Sequence, residues 1–177
     1  MIASLASRAS IALVLFGLPS VAAAQYRLPT IVSTVKADSL HQAAVGLRTA
    51  GRWGDAARLH RRSAEFRAAE DSLGVQCLTE AAALAYAAGD RSGARTDMAH
   101  AAERLLARGD LRAAALAYVD AAWIAQEQEK PRQVYEFGHR AEILAASPLL
   151  NDSDRGVILR RIDRAPLAMR NTIRAAR

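Results

Sequence analysis

Apolar residues recur along most of this chain three and four positions apart, with polar residues between them. Leu111, Ala115, Tyr118, Ala122 and Ala125 form one such stripe, with Trp123 and Ile124 beside it. Val134, Phe137, Ala141 and Leu144 form the next, flanked by Ile143. This period is that of an α-helix with one buried face. No segment alternates long enough to be a strand, and only 25–35 has room for a short extended stretch. The stripes are interrupted near Gly51, Asp71-Ser72, Gly89-Asp90, Gly109-Asp110, Lys130-Pro131 and Pro148, at steps of 20, 18, 20, 21 and 18 residues. The pattern predicts helices over 35–50, 53–70, 73–88, 91–107, 111–128, 132–146 and 152–175, and so an all-α fold.

The interruptions have a mechanism. Glycine reaches positive φ without a Cβ clash and so ends a helix sharply. Asp90 and Asp110 follow their glycines directly, where a carboxylate accepts from the free N–H groups of the next helix. Pro131 suits a first helical turn, and Asn151 to Asp154 open the last helix. Pro166 falls inside that last segment and predicts a kink or two shorter helices. Equal helices joined by short turns lie antiparallel to their neighbours.

A repeat runs through these breaks. Gly51, Gly89 and Gly109 each have Ala seven residues before them (Ala44, Ala82, Ala102) and Ala five after (Ala56, Ala94, Ala114). Twelve residues after each comes another small residue: Ser63, Ala101 and Ala121. Small side chains at fixed points let helices approach closely, and the spacing favours a row of hairpins over a central bundle.

In these residues the chain resembles the tetratricopeptide repeat family. Ala44, Gly51, Trp53, Ala56 and Ser63 follow its pattern, and so do Ala102, Gly109, Leu111, Ala114, Tyr118 and Ala121. Ala82, Gly89, Ala94 and Ala101 match at the small positions, with Arg91 where a large apolar residue is usual. The resemblance covers about 35–146 and departs in two ways. The closing proline is absent, and the step from Gly89 to Gly109 is half a repeat, so 91–107 serves as a second helix in one frame and a first helix in the other. The resemblance implies antiparallel hairpins in a right-handed superhelix of about seven helices that binds proteins or peptides and performs no catalysis. The family's Asn and Lys carboxylate clamp has no counterpart, because Asn151 and Asn171 lie outside the repeats and Lys36 and Lys130 at their ends.

Composition changes the picture at both ends of the chain. Arg8 is the only charge in the first 26 residues, an apolar run covers 11–18, and Pro19, Ser20 and Val21-Ala22-Ala23-Ala24 follow. This is the layout of a cleaved secretory signal over 1–24, because the apolar run is too short to span a bilayer. A flexible lead-in over 25–34, a repeat domain over 35–150 and a basic cap over 151–177 complete the expected organisation. The signal implies a periplasmic or secreted protein. Export permits disulfides, but Cys77 is the single cysteine and, among Leu73, Ala81, Leu84 and Ala88, reads as a small core residue.

The net charge of +6 is uneven. Residues 25–154 hold 16 Arg and Lys against 17 Asp and Glu, whereas 155–177 hold seven Arg and one Asp. Ile158, Ile162, Ala165, Met169 and Ile173 form an apolar stripe there, with Arg160, Arg161, Arg164, Arg170 and Arg174 largely off it. Those five arginines are the candidate contact for an anionic partner, and a terminal cap is the plainer reading of the same segment. Nucleic acid is disfavoured by export and by the lack of aromatics after Phe137 for base stacking.

Catalytic and metal residues are not expected. His41, His60, His100 and His139 lack a His or Cys partner three or four residues away and read as surface or boundary residues. No Gly-x-Ser-x-Gly elbow, phosphate loop or His-Glu-x-x-His occurs. Glu70-Asp71 and Glu127/Glu129 read as solvated carboxylates. Arg108-Gly109-Asp110 spells an adhesion tripeptide, but Gly109 already has its role in a turn. The expected function is a non-enzymatic, cofactor-free scaffold or accessory subunit of the cell envelope with a protein or peptide partner. The alternative is a membrane-surface module using the basic helix on anionic lipids.

Overall fold

The structure, a computed structural model, describes residues 33–174. Among them are eight helices: α1 (Thr34–Thr49), α2 (Trp53–Glu65), α3 (Ser72–Ala87), α4 (Arg91–Ala107), α5 (Leu111–Glu127), α6 (Pro131–Ala145), α7 (Asp152–Asp163) and α8 (Leu167–Arg174). No strand occurs among the described residues. The fold is all-α, as the spacing predicts. The expected signal over 1–24 and nearly all of the lead-in lie outside the described residues. Helices α1 to α6 pack in chain order, each on the next, while α7 and α8 turn back onto α5 and α6. None of the described helices is long and apolar enough to cross a membrane.

All nine small residues of the repeat, from Ala44 to Ala121, are buried. They form the seams along which consecutive helices touch. The larger apolar side chains gather at the C-terminal end, where Tyr118, Val119 and Val134 meet Ile158, Met169 and Ile173.

The three turn glycines carry φ of 73° (Gly51), 86° (Gly89) and 76° (Gly109). In each turn the next residue's N–H reaches back five positions: Arg52 to Leu47, Asp90 to Ala85 and Asp110 to Leu105, at 2.8–3.0 Å. This is the Schellman closure that requires a left-handed residue. Asp90 and Asp110 then accept from Gly93 N–H and Ala113 N–H, at 2.8 and 3.0 Å, and so start the following helices.

A fourth turn has the same geometry without a glycine. Lys130 N–H donates to Ala125 O at 3.0 Å, and Glu129 sits at φ 54°. Ala122, Val134 and Ala141, seven before, five after and twelve after Glu129, are all buried. Left-handed backbone costs an ordinary residue about 1–2 kcal/mol, partly offset by the freedom glycine adds to the unfolded chain. Glu129→Gly is therefore expected to raise the unfolding free energy by about 0.5–1 kcal/mol, and Gly109→Ala to lower it by about 1 kcal/mol. An added Cβ at Gly109 meets nothing within 4 Å, which leaves the backbone as the sole cause. Urea unfolding reads both; a less stable Glu129→Gly chain would mean that this turn holds no strain.

One boundary differs clearly from the expected one. Helix α2 ends at Glu65 and not near residue 70. Arg104 of α4 donates to Ala64 O (2.7 Å) and Ala68 O (2.8 Å), adding a side-chain bond to carbonyls that also accept from Arg67 N–H and Asp71 N–H. Arg67 is buried in the turn beyond and pairs with Asp71 at 3.2 Å and with Asp38. A guanidinium arriving from another helix is invisible to local propensity. The last predicted segment is two shorter helices, one of the two outcomes Pro166 predicts, since α7 stops at Asp163 and Pro166 precedes α8. The total is thus eight described helices against about seven expected.

Candidate functional site

Alternation of helices puts odd and even members on opposite sides. Helices α3, α5 and α7 line one groove through Ala82, Tyr86, Asp120, Trp123, Ile124 and Arg161, with Met98 of α4 contributing. Helices α2 and α4 line another with Arg61, Glu65, His100, Glu103 and Arg104. The sequence leaves open which helices face a partner because 91–107 fits either frame. In the fold α4 lines the α2/α4 groove.

The odd-helix groove encloses about 390 Å³. Its floor is small because Ala82 and Ala83 lack bulk, and its wall is aromatic. One carboxylate organises that wall. Tyr86 Oη donates to Glu127 Oε1 at 2.8 Å, Trp123 Nε1 donates to the same oxygen at 3.3 Å, and Arg91 Nε lies 3.3 Å from Oε2. The Arg91 guanidinium stacks 3.6 Å from the Tyr86 ring centre. The hydrogen bond to Glu127 pushes the Tyr86 hydroxyl above the usual phenol range, so it stays protonated and donating. Glu127 is therefore no idle solvated carboxylate, and Arg91 fills the position of a large apolar residue by covering an aromatic face. Trp123 retains 37% of its surface in solvent.

The groove continues into a basic cleft between α5 and α7, lined by Leu116, Asp120, Val157, Arg160, Arg161 and Arg164. Arg161 Nη2 bonds Asp120 Oδ1 at 2.6 Å and joins the two spaces. Three of the five candidate arginines are thus brought together. Arg160 on α7 and Arg164, the residue that caps its C-terminus, are exposed and four positions apart. Arg170 lies on α8, half-buried, with its Nε shielded from water and unpaired. Arg174 ends α8, and its side chain lies outside the described residues. The apolar stripe between these arginines is consumed by packing, with Ile158, Ile162, Ala165, Met169 and Ile173 all buried in the C-terminal core.

The histidines divide. His100 and His139 are exposed, His139 stacked on Tyr135 with ring centres 5.4 Å apart. His60 is fully buried, contrary to its reading as a surface or boundary residue. The cause is tertiary: α1, α2 and α3 meet where His41, His60 and Cys77 project, so residues 17 to 36 positions apart become neighbours. Cys77 is buried as expected, but it faces polar groups, with Sγ 3.5 Å from His41 Nδ1 and 3.6 Å from Ser63 Oγ.

The fold and site define an all-α protein with two faces, one carrying an aromatic and basic groove. Comparison with protein-family models, with curated proteins and with solved structures gave no match.

Proposed function

We propose that this chain is an exported, non-enzymatic, tetratricopeptide-like helical-repeat protein that holds a protein or peptide partner in the α3–α5–α7 groove. The observation that carries the reading is the junction of an aromatic wall, Tyr86 and Trp123, with the arginine cleft of α7. An apolar side chain of the partner fits against Trp123, and an acidic group beside it meets Arg160 and Arg164. Exposed tryptophan and arginine are the residue types that most often dominate interfaces. The signal pattern over 1–24 supports export.

The test is affinity capture from the native cell envelope by the wild-type chain and by Trp123→Ala and Arg161→Glu variants, followed by titration of the captured partner. Each variant is expected to weaken binding at least about tenfold, the loss of a modest interface hot spot. Equal capture by wild type and variants removes the groove from the function.

A second reading is binding to anionic lipid surfaces, favoured by the exposure of Arg160 and Arg164. With the apolar stripe buried, such contact is electrostatic alone and is expected to fade as salt rises. Vesicle co-sedimentation of an Arg160→Glu/Arg164→Glu chain tests it, because these changes leave the packed face intact.

A further inference from the structure

We propose that His41, His60 and Cys77 form a binding site for a borderline transition-metal ion, with Zn²⁺ the best fit to two imidazoles and one thiolate. The site lies where α1, α2 and α3 meet, on the far side of the repeat from the C-terminal cap.

Geometry comes first. One ligand atom from each residue lies within 4.8 Å of the other two. Bonds of 2.0–2.3 Å in a tetrahedron place ligand atoms roughly 3.3–3.8 Å apart. Cys77 Sγ and His41 Nδ1 are already 3.5 Å apart, and rotation of the imidazoles closes the remaining gap. The two histidine rings meet edge to face, with centres 5.1 Å apart and planes at 63°, so neither ring blocks the other's approach to a shared centre.

An independent observation points to a missing partner. His60 is fully buried, and neither ring nitrogen has a hydrogen-bond partner. Buried polar atoms are nearly always satisfied, and an orphaned one is destabilising. Glu80 Oε2 lies 3.7 Å from Nε2, beyond hydrogen-bonding range.

Glu80 completes the arrangement. It lies one turn beyond Cys77 on α3 and is held by Arg48 at 2.8 Å. A carboxylate next to a ligating imidazole fixes ring orientation and raises its basicity. Metal entry displaces the Cys77 thiol proton to solvent, and the thiolate then balances part of the ion's charge. Two imidazoles and a thiolate suit zinc better than magnesium or calcium, which require oxygen donors. Three protein donors leave the fourth position for water or Glu80.

The experiment uses the purified chain stripped with chelator. Titration with Zn²⁺ is expected to show one tight equivalent and a higher Tm, and Co²⁺ to give a thiolate-to-metal charge-transfer band. Cys77→Ser and His60→Gln are expected to remove the band and to weaken Zn²⁺ binding more than a hundredfold. Glu80→Gln is expected to cost about 10–100-fold, the usual effect of an outer-shell partner. His100→Gln and His139→Gln, at exposed sites, serve as controls. Far-ultraviolet dichroism checks each variant's fold, and His41→Gln, at a half-buried position, stands in for any ligand variant that fails to fold. Absence of stoichiometric binding, a Co²⁺ complex lacking the thiolate band, or equal losses in the control variants would overturn the site.

Discussion

Arg61→Ala is expected to lower the unfolding free energy by about 2–3 kcal/mol, the largest effect of any single truncation on the α2–α4 side. Its partner Asp97 projects from α4 and is fully buried. Arg61 grips both carboxylate oxygens, Nε to Oδ1 and Nη2 to Oδ2, each at 2.6 Å. The hydrogen bonds to Asp97 also push the Arg61 pKa upward, which keeps the cation in place. Truncating the arginine leaves a buried carboxylate with no counter-charge. Breaking a fully buried pair costs about 3–5 kcal/mol, and the lower figure here reflects the 35% of the Arg61 side chain that stays in water. For a domain of this size the change corresponds to a Tm drop of roughly 4–12 °C.

The double variant Arg61→Ala/Asp97→Ala, set beside the singles Arg61→Ala and Asp97→Ala, discriminates the cause. It removes both charges and is expected to recover most of the loss, because the penalty lies in the orphaned carboxylate more than in the lost attraction. Denaturant unfolding of the two singles and the double gives the coupling energy directly. Singles within about 0.5 kcal/mol of wild type, the range of an ordinary surface change, would show that the pair contributes nothing to α2–α4 docking.

How much of this was readable in the chain depends on the range of each interaction. Gly51, Gly89 and Gly109 were legible because a left-handed turn is local and glycine is its cheapest residue. Glu129 was not, since the same backbone is enforced there by packing on both sides. The small seam residues were legible from their offsets, and all nine are buried. The end of α2 was hidden because it is braced from afar by Arg104, 39 residues beyond Glu65, which bonds the carbonyls of Ala64 and Ala68. The arginine cleft was half legible. The charge run named Arg160, Arg161 and Arg164, but nothing in the spacing tied them to Asp120 or Trp123 across the groove. The histidine–cysteine cluster was illegible for the same reason, because ligand-spacing rules look along one helix and these donors come from three.

Gly138→Leu is expected to undock the end of the C-terminal cap. Gly138 faces α8, and any Cβ there would overlap Ile173 Cγ1 and Cδ1. Ile173 is 1% exposed and Met169 fully buried, so neither has room to yield. Overpacking a core costs about 1–3 kcal/mol, and exposing each of these two side chains about 1.5–3 kcal/mol. By either route the expected loss is about 3 kcal/mol, with protease cleavage appearing after Pro166. Ile173→Ala, destabilising by itself in the wild type, is expected to relieve Gly138→Ala, and that sign reversal is the signature of a direct contact. Undiminished stability with α8 still protected from protease would mean that the cap does not depend on this approach. The same variant separates the two readings of the basic segment. While α8 is docked its apolar stripe is unavailable to a bilayer, whereas release frees Met169 and Ile173 beside Arg170. Vesicle binding that rises in Gly138→Leu and resists salt would show that the lipid-seeking surface is latent and held shut by packing. Binding that stays weak and salt-sensitive would leave only the solvent-facing arginines of α7 for lipid or for a partner in the groove.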